Sequence, residues 1–406
     1  MLSVPHYEAR KLRPVLDFPT DEFGPEAVHE VFDPASGRKI GWLVIDNTWR
    51  SPTGTGKGGT AMYPGCDLSI TLSKGRVMTW KQVFCVPIGE KPEYEPWGGA
   101  KGGIDFDSAH PKAESVLRGW ARALHEAGLI PSKYKFGLDV GLAEWATRAV
   151  VEELGDPRVS TGKPLELGGI PYDEMGITGV ALVEALMVMC EFAGIDFHSS
   201  KTTMAIQGFG AVGQGIMKGL AQFHVGQRPT VTIIADPKKI GGTIQCPSVV
   251  GGFDPAETLD YVSCRGELRG YSLATNRLMS GVELFADVDI LALASSEPQQ
   301  IREDNVEQIR ARVILQGANL GVTEPAGRAL WEKGKMIVRD FVENAGASAS
   351  VYVEDAGGTP EEGLSYAKRV VAHNTHFVIE EAMRAGRDPG SIALEIAKRE
   401  MWRARP

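Results

Sequence analysis

Apolar and polar residues along this chain alternate with two different periods, and the change of period outlines the elements. Residues 1 to about 50 read as an exposed start followed by a strand over 39–47. In 67–73, Leu68, Ile70 and Leu72 alternate with polar residues, which predicts a half-buried strand. Residues 111–127 instead carry Val116, Trp120, Ala123 and Leu124 at helical spacing, with Pro111 suited to a first turn and Gly128 to a stop. The run 167–179 is rich in turn residues and reads as a hinge, followed by a long apolar helix over 180–192.

Beyond that helix the pattern becomes strand, turn, helix, strand. Residues 203–207 form a compact apolar strand, Gly208-Phe209-Gly210-Ala211-Val212-Gly213 is a GxGxxG turn, and a helix runs to about Phe223. A second strand over 231–235 ends in Asp236. In this order a GxGxxG motif predicts a dinucleotide-binding unit: the first glycine turns the chain, the second admits pyrophosphate, and the third lets helix and strand pack. The phosphates would sit at the positive end of the helix dipole. Asp236 lies 28 residues after Gly208, beyond the usual interval, and the loop before the second strand can absorb the excess. Further strands are expected at 287–294, closing on Ala294, and at 312–315 and 336–338; 254–269 holds a candidate helix. The C-terminal part is mostly helical, over 363–384 and 391–402, and is expected to pack back on the rest.

The chemistry concentrates earlier, in Pro96-Trp97-Gly98-Gly99-Ala100-Lys101-Gly102-Gly103-Ile104. Glycine pairs let a backbone turn and approach a bound molecule, and a lysine held there can be desolvated. Met78-Thr79-Trp80-Lys81 supplies a second cation, and both effects lower the pKa of Lys101 toward proton transfer. The alternative is a surface glycine loop with a solvated lysine. Gly54–Thr60 (GTGKGGT) looks like a phosphate loop but fails that test, because Gly58 and not Ser or Thr follows Lys57. It is either a flexible loop or one that offers Lys57 to an anionic substrate. Asp139, after a short apolar strand and before a glycine and a helix, stands where α/β enzymes place working residues, and it equally suits a helix N-cap. Asn319 and Asn344 follow strand ends, where an amide can meet a nicotinamide carboxamide or a carboxylate, or simply make a turn.

Composition narrows the class. At 406 residues two domains are the natural expectation, and 43% hydrophobic with 23% charged residues is ordinary for a globular protein. No apolar run approaches a membrane span, and the N-terminus lacks a signal-peptide core, so a cytoplasmic protein is expected. A net charge of -9 argues against nucleic-acid or anionic-membrane partners. The five cysteines are scattered without a CxxC pair, and His373 and His376 lack accompanying ligands, so no metal site is expected.

Taken as an ordered set, GKGGT, MTWK, PWGGAKGGI, the DVG at 139–141, the ITG at 177–179, GFGAVG, QGAN and FVENAGA resemble the glutamate/leucine/phenylalanine/valine dehydrogenase family over about 54–352. The resemblance implies an α/β fold with an N-terminal substrate domain (1–180), a Rossmann dinucleotide domain (181–345) and C-terminal helices returning to the first (346–406). It implies reversible oxidative deamination of an L-amino acid to a 2-oxo acid and ammonia, with hydride passing to NAD or NADP. On that pattern Lys101 polarises the imine or carbonyl and activates water, and Asp139 shuttles the proton. Lys81 with Met78 holds the α-carboxylate, and Lys57 lies where a lysine meets an acidic side chain. Asn344 and Val351 fall in the substrate site. Thr178 and Asn319 lie around the nicotinamide, and Gly208 to Gly213, Asp236 and Ala294 in the cofactor site. A homo-oligomer, often a hexamer, is expected.

Two departures matter. The connector between Lys81 and Lys101, an excursion around 86–95, is longer than the family's spacing and is expected to reshape the pocket mouth or an oligomer contact. Val351 stands where glutamate enzymes carry a serine, so Lys57 argues for an acidic substrate and Val351 for a branched-chain one. Asp236 favours NAD, because it can bond both ribose hydroxyls, while Lys238 and Lys239 tolerate a 2′-phosphate. A non-catalytic cofactor-binding relative would need neither Lys101 nor Asp139. A 2-hydroxy acid dehydrogenase would want a catalytic histidine, which no matching segment supplies.

Overall fold

The structure is a computed structural model that describes residues 4–236, 240–246, 251–271, 276–278 and 281–406. Lys238 and Lys239 lie outside the described residues. The chain divides into two units: Met1–Pro171 with Ser348–Gly363 and Ala397–Pro406, and Tyr172–Ala347 with Leu364–Ile396. The division after Pro171 falls inside the turn-rich 167–179 run. The C-terminal helices do not all return to the first unit, because residues 364–396 group with the second.

The first unit is built on strands β1 (Glu8–Lys11), β2 (Ala27–Phe32), β3 (Lys39–Asn47), β4 (Gly56–Lys57) and β5 (Thr60–Met62). Helix α1 (Leu68–Val83), strand β6 (Gly98–Ile104), helix α2 (Ala113–Glu126), strand β7 (Tyr134–Lys135) and helix α3 (Glu144–Leu154) follow. The sheet order is β1-β2-β3-β6-β4-β7, with β5 also paired to β6. β3 runs antiparallel to β6, whereas β4 and β5 run parallel to it. Ala100 and Ile104 of β6 join Leu117, Trp120 and Phe136 in the core beneath α2.

Two expectations change here. The segment 67–73 is not a strand: Asp67 accepts a hydrogen bond from Ile70 N–H at 2.8 Å and caps α1. Its apparent alternation misleads because the buried face of α1 includes Thr71, Gly75 and Thr79, which carry no hydrophobic periodicity, while Ile70 is exposed. The glycine-lysine stretch is likewise not a surface loop but the buried strand β6. Its glycines permit close packing: a Cβ on Gly99 would lie 2.3 Å from the Thr79 backbone nitrogen, and one on Gly103 2.3 Å from Thr71 Oγ1. The GTGKGGT run is also no flexible loop, since Gly56, Lys57 and Thr60 are locked into β4 and β5.

The second unit opens with α4 (Tyr172–Met175) and α5 (Ile177–Phe192), so the ITG lies inside the helix and not before it. Then come β8 (Thr203–Gln207), α6 (Ala211–Leu220), β9 (Thr230–Asp236), β10 (Gly242–Gln245), α7 (Pro255–Arg265) and β11 (Asn276–Leu278). β12 (Ile290–Leu293), β13 (Val313–Gln316), α8 (Glu324–Glu332), β14 (Met336–Ile337) and α9 (Asp340–Glu343) complete the sheet and its cover. The chain closes with α10 (Gly346–Asp355), α11 (Pro360–Ala385) and α12 (Pro389–Arg403). Sheet order is β11-β10-β9-β8-β12-β13-β14; the five strands from β9 to β14 are parallel, and β10 and β11 add an antiparallel edge. The chain leaves β8 for β9 on one side and returns at β12 on the other. This makes a topological switch point at the carboxyl end of β8, where open α/β sheets bind ligands.

Candidate active site

Lys101 sits mid-strand in β6 with a side chain about 1% exposed, and its ammonium pairs with Asp139 Oδ2. Side chains alternate along a strand, so Lys101 shares a face with Gly99 and Gly103, the glycines that let α1 approach. Asp139 follows the short pairing of Leu138 with Thr60 and accepts from Val140 N–H at 2.6 Å through Oδ1. It does not cap α3; Ala143 occupies that position, without a side-chain hydrogen bond. A second ammonium, Lys74 from α1, lies 3.9 Å from Asp139 Oδ2. Burial lowers the pKa of Lys101, Asp139 opposes that shift and Lys74 adds to it. Burial alone would raise the Asp139 carboxyl, but Lys101 and Lys74 hold it well below the carboxylate range. The arrangement is a desolvated amine joined to a firmly anionic carboxylate, a pair that can pass a proton between nitrogen and oxygen.

Lys74, Met78 and Lys81 fall at i, i+4 and i+7 of α1 and so form one stripe along the helix. Met78 Cγ would touch a Cβ on Gly58, which brings the stripe against the β4–β5 turn. Burial pushes the Cys85 thiol up to about 12, against Lys81, Lys57 and Arg50, so Lys81 and Lys57 act in the same neighbourhood.

Lys57 is buried on β4. Its ammonium donates to Asp355 Oδ2 at 3.0 Å and to the Val351 carbonyl at 3.4 Å, beneath the Trp97 ring. Lys135 donates to the other oxygen of Asp355 at 2.9 Å and faces the same indole. The extended connector ends at Trp97, whose N–H donates to the Tyr352 hydroxyl at 3.2 Å; that hydroxyl donates to Gln82 Oε1 at 2.8 Å.

The second unit gathers the residues expected to meet a dinucleotide. Gly208 takes a φ of +90°, which a side chain would disfavour, and a Cβ there would lie 2.4 Å from Ser295 N, just past Ala294. Phe209 N–H donates to Asp236 Oδ2 at 2.8 Å, tying the turn to the end of β9. Gly210 is the N-cap of α6 without a side-chain cap, and open space lies where its Cβ would be, so the first-turn N–H groups of Ala211, Val212 and Gly213 can receive phosphate. Asn344 donates to Gly317 O at 3.2 Å and to Asn319 Oδ1 at 3.1 Å. Its own Oδ1 is buried with no partner among the described residues, an acceptor suited to a carboxamide N–H. A Cβ on Gly346 would lie 3.3 Å from Thr178 Cα, so the first turn of α5 and the start of α10 adjoin. These features fit a nicotinamide dinucleotide.

Lys57, Met78, Lys81, Lys101, Asp139 and Val351 thus fall in the first unit, and Thr178, Gly208 to Gly213, Asp236, Ala294, Asn319 and Asn344 in the second. Sequence reading missed Lys74, Lys135 and Asp355. Helical spacing from Lys81 would have found Lys74 had 67–73 been read as helix; nothing local marks the other two.

The glutamate/leucine/phenylalanine/valine dehydrogenase family model matches residues 168–388. A glutamate dehydrogenase of Thermotoga maritima is 29% identical over 322 residues, covering 77% of this chain and 71% of that protein. An NADP-specific glutamate dehydrogenase of Synechocystis sp. is 30% identical over 318 residues, covering 74% and 69%. An NAD-specific glutamate dehydrogenase A of Halobacterium salinarum is 27% identical over 344 residues, covering 81% and 73%. The hetero-hexameric glutamate dehydrogenase of Thermus thermophilus in its Leu-bound form has the same fold, with a TM-score of 0.76 at 24% identity over 98% of this chain and 88% of that one.

Proposed function

The chain belongs to the glutamate/leucine/phenylalanine/valine dehydrogenase family, and from that premise we propose that it catalyses reversible NAD(P)-linked oxidative deamination of an L-amino acid, with glutamate favoured, to a 2-oxo acid and ammonia. The observation that carries the reading is the buried Lys101–Asp139 pair, whose two groups match the acid–base demands of the reaction. A bound NAD(P)+ would supply the hydride acceptor for the substrate Cα, whose oxidation gives an iminium. Lys101, as the neutral amine, takes a proton from the water that adds to that carbon. Asp139 relays that proton from Lys101 to the substrate nitrogen, and as the hydroxyl of the carbinolamine returns its proton to Lys101 the C–N bond breaks, giving ammonia and the 2-oxo acid. The α-carboxylate is assigned to Lys81 beside Met78, and the side-chain end to Lys57 and Val351.

The first unit is the substrate domain in this reading and the second the dinucleotide domain. Phosphate would rest on the α6 N-terminus, ribose on Asp236, and the nicotinamide amide near Thr178, Asn319, Asn344 and Ala294. NAD is the favoured cofactor with NADP also used, in line with relatives named for each specificity. No helix among the described residues is long and apolar enough to cross a membrane. A cytoplasmic homo-oligomer completes the proposal.

The test is nicotinamide absorbance during reductive amination, with ammonia, NADH or NADPH, and 2-oxoglutarate against branched, aromatic and short 2-oxo acids. Ammonia-dependent oxidation is expected, fastest with 2-oxoglutarate. Clear NADH binding without turnover on any acid would overturn the reading in favour of a non-catalytic relative.

A further inference from the structure

Asp355 already does to Lys57 and Lys135 what the distal carboxylate of a dicarboxylic substrate would do. One oxygen accepts from Lys57 at 3.0 Å and the other from Lys135 at 2.9 Å, so a single carboxylate bridges two ammonium groups. The Trp97 face covers both cations, at 4.9 Å and 4.6 Å. Val351 offers Lys57 its carbonyl and has no hydroxyl to give an incoming anion. Burial alone would raise the Asp355 carboxyl, yet Lys57 and Lys135 hold it below its usual value, which keeps it charged at neutral pH.

We infer that Asp355 is a specificity-determining residue at the side-chain end of the substrate site, an internal carboxylate with which a dicarboxylic substrate must compete for Lys57. The inference rests on the deamination reading and on Lys57 as the side-chain anchor. A second carboxylate brought to Lys57 meets Asp355 at short range, and like charges sharing a site repel. Burial lowers the pKa of Lys57 and Asp355 opposes that shift, so without the Asp355 charge the group that restores the ammonium is the incoming carboxylate, which then has no internal rival for Lys57 and Lys135. A 2-oxo acid with an uncharged side chain has no such competition and is insensitive to the change. Asp355 therefore tunes the enzyme away from tight dicarboxylate binding without touching the reacting carbon.

The experiment compares 2-oxoglutarate with 2-oxopentanoate, which has the same chain length and lacks the distal carboxylate, in the wild type and in Asp355→Asn. In the variant KM for 2-oxoglutarate is expected to fall about tenfold while that for 2-oxopentanoate stays within about twofold. A KM for 2-oxoglutarate that is unchanged or higher overturns the inference, as does an equal fall for both acids. Should the variant not fold, calorimetry on the wild type decides. A preference for 2-oxoglutarate over 2-oxopentanoate below about a hundredfold supports competition, and a larger one overturns it. Absence of ammonia-dependent turnover with every acid would remove the deamination reading instead, and the same binding comparison would still decide the role of Asp355.

Discussion

The Lys74 ammonium lies 3.9 Å from Asp139 Oδ2, the oxygen that also pairs with Lys101. A third charge therefore belongs to the pair that the sequence marks as catalytic. Cys66 and Tyr63 from the segment before α1, and Tyr134 from β7, also face the pair, but Lys74 is the cation among them.

Lys74 sets the pH at which Lys101 becomes a base. Burial lowers the Lys101 pKa, and the Lys74 charge lowers it further. Replacing Lys74 by methionine removes the second effect, so the Lys101 pKa rises and its neutral form appears at higher pH. The acid limb of the deamination kcat profile is expected to move to higher pH. An unmoved limb with merely reduced stability would show that Lys74 is only structural.

Lys101→Ala is expected to lower turnover by about a thousandfold or more while NADH still quenches protein fluorescence on binding. Equal turnover in the variant would remove the central assignment. The residues assigned to the nucleotide lie in the other unit, so NADH binding is the internal control.

Asp139→Asn leaves Lys101 as a buried cation without its counter-ion, which costs about 3–5 kcal/mol when uncompensated. Lys101 relieves part of that cost by losing its proton. Substrate affinity is therefore expected to persist while the rate falls, and urea denaturation gives the stability loss. A variant with normal kcat would exclude Asp139 from the proton path.

The glycines of β6 give an ordered pair of packing tests. A Cβ on Gly99 meets the Thr79 backbone, whereas one on Gly103 meets side chains, chiefly Thr71 and, at 3.1 Å, Cys66. Gly99→Ala is expected to cost about 3 kcal/mol and Gly103→Ala less, because overpacking hurts most where the obstacle cannot move. Thr71→Ala should rescue Gly103→Ala, and Thr79→Ala should leave Gly99→Ala unrescued. Denaturant midpoints at constant m read both comparisons.

Asp236→Ala removes the acceptor of Phe209 N–H as well as the ribose partner. The expected result is a KM for NAD raised about tenfold, with the NADP value changed less, because the 2′-phosphate loses a repulsive neighbour. Equal increases for the two cofactors would assign Asp236 to bracing the turn alone.

The sequence by itself determined the dinucleotide unit. Strand, GxGxxG, helix and second strand are contiguous, the strands are buried on both faces and read as apolar runs, and a helix N-terminus binds phosphate by backbone groups that local turn chemistry specifies. It also marked Lys101, Lys57 and Asp139, because short glycine-rich motifs surround them. Tertiary structure alone decided the rest. β6 was hidden because its glycines report the closeness of Thr71 and Thr79 on another element, and α1 was misread because its buried face is partly small and polar. Asp355 reaches Lys57 across 298 residues, so no window of sequence holds both. Hydrophobic period records which face is buried; which charge meets which depends on how distant segments pack.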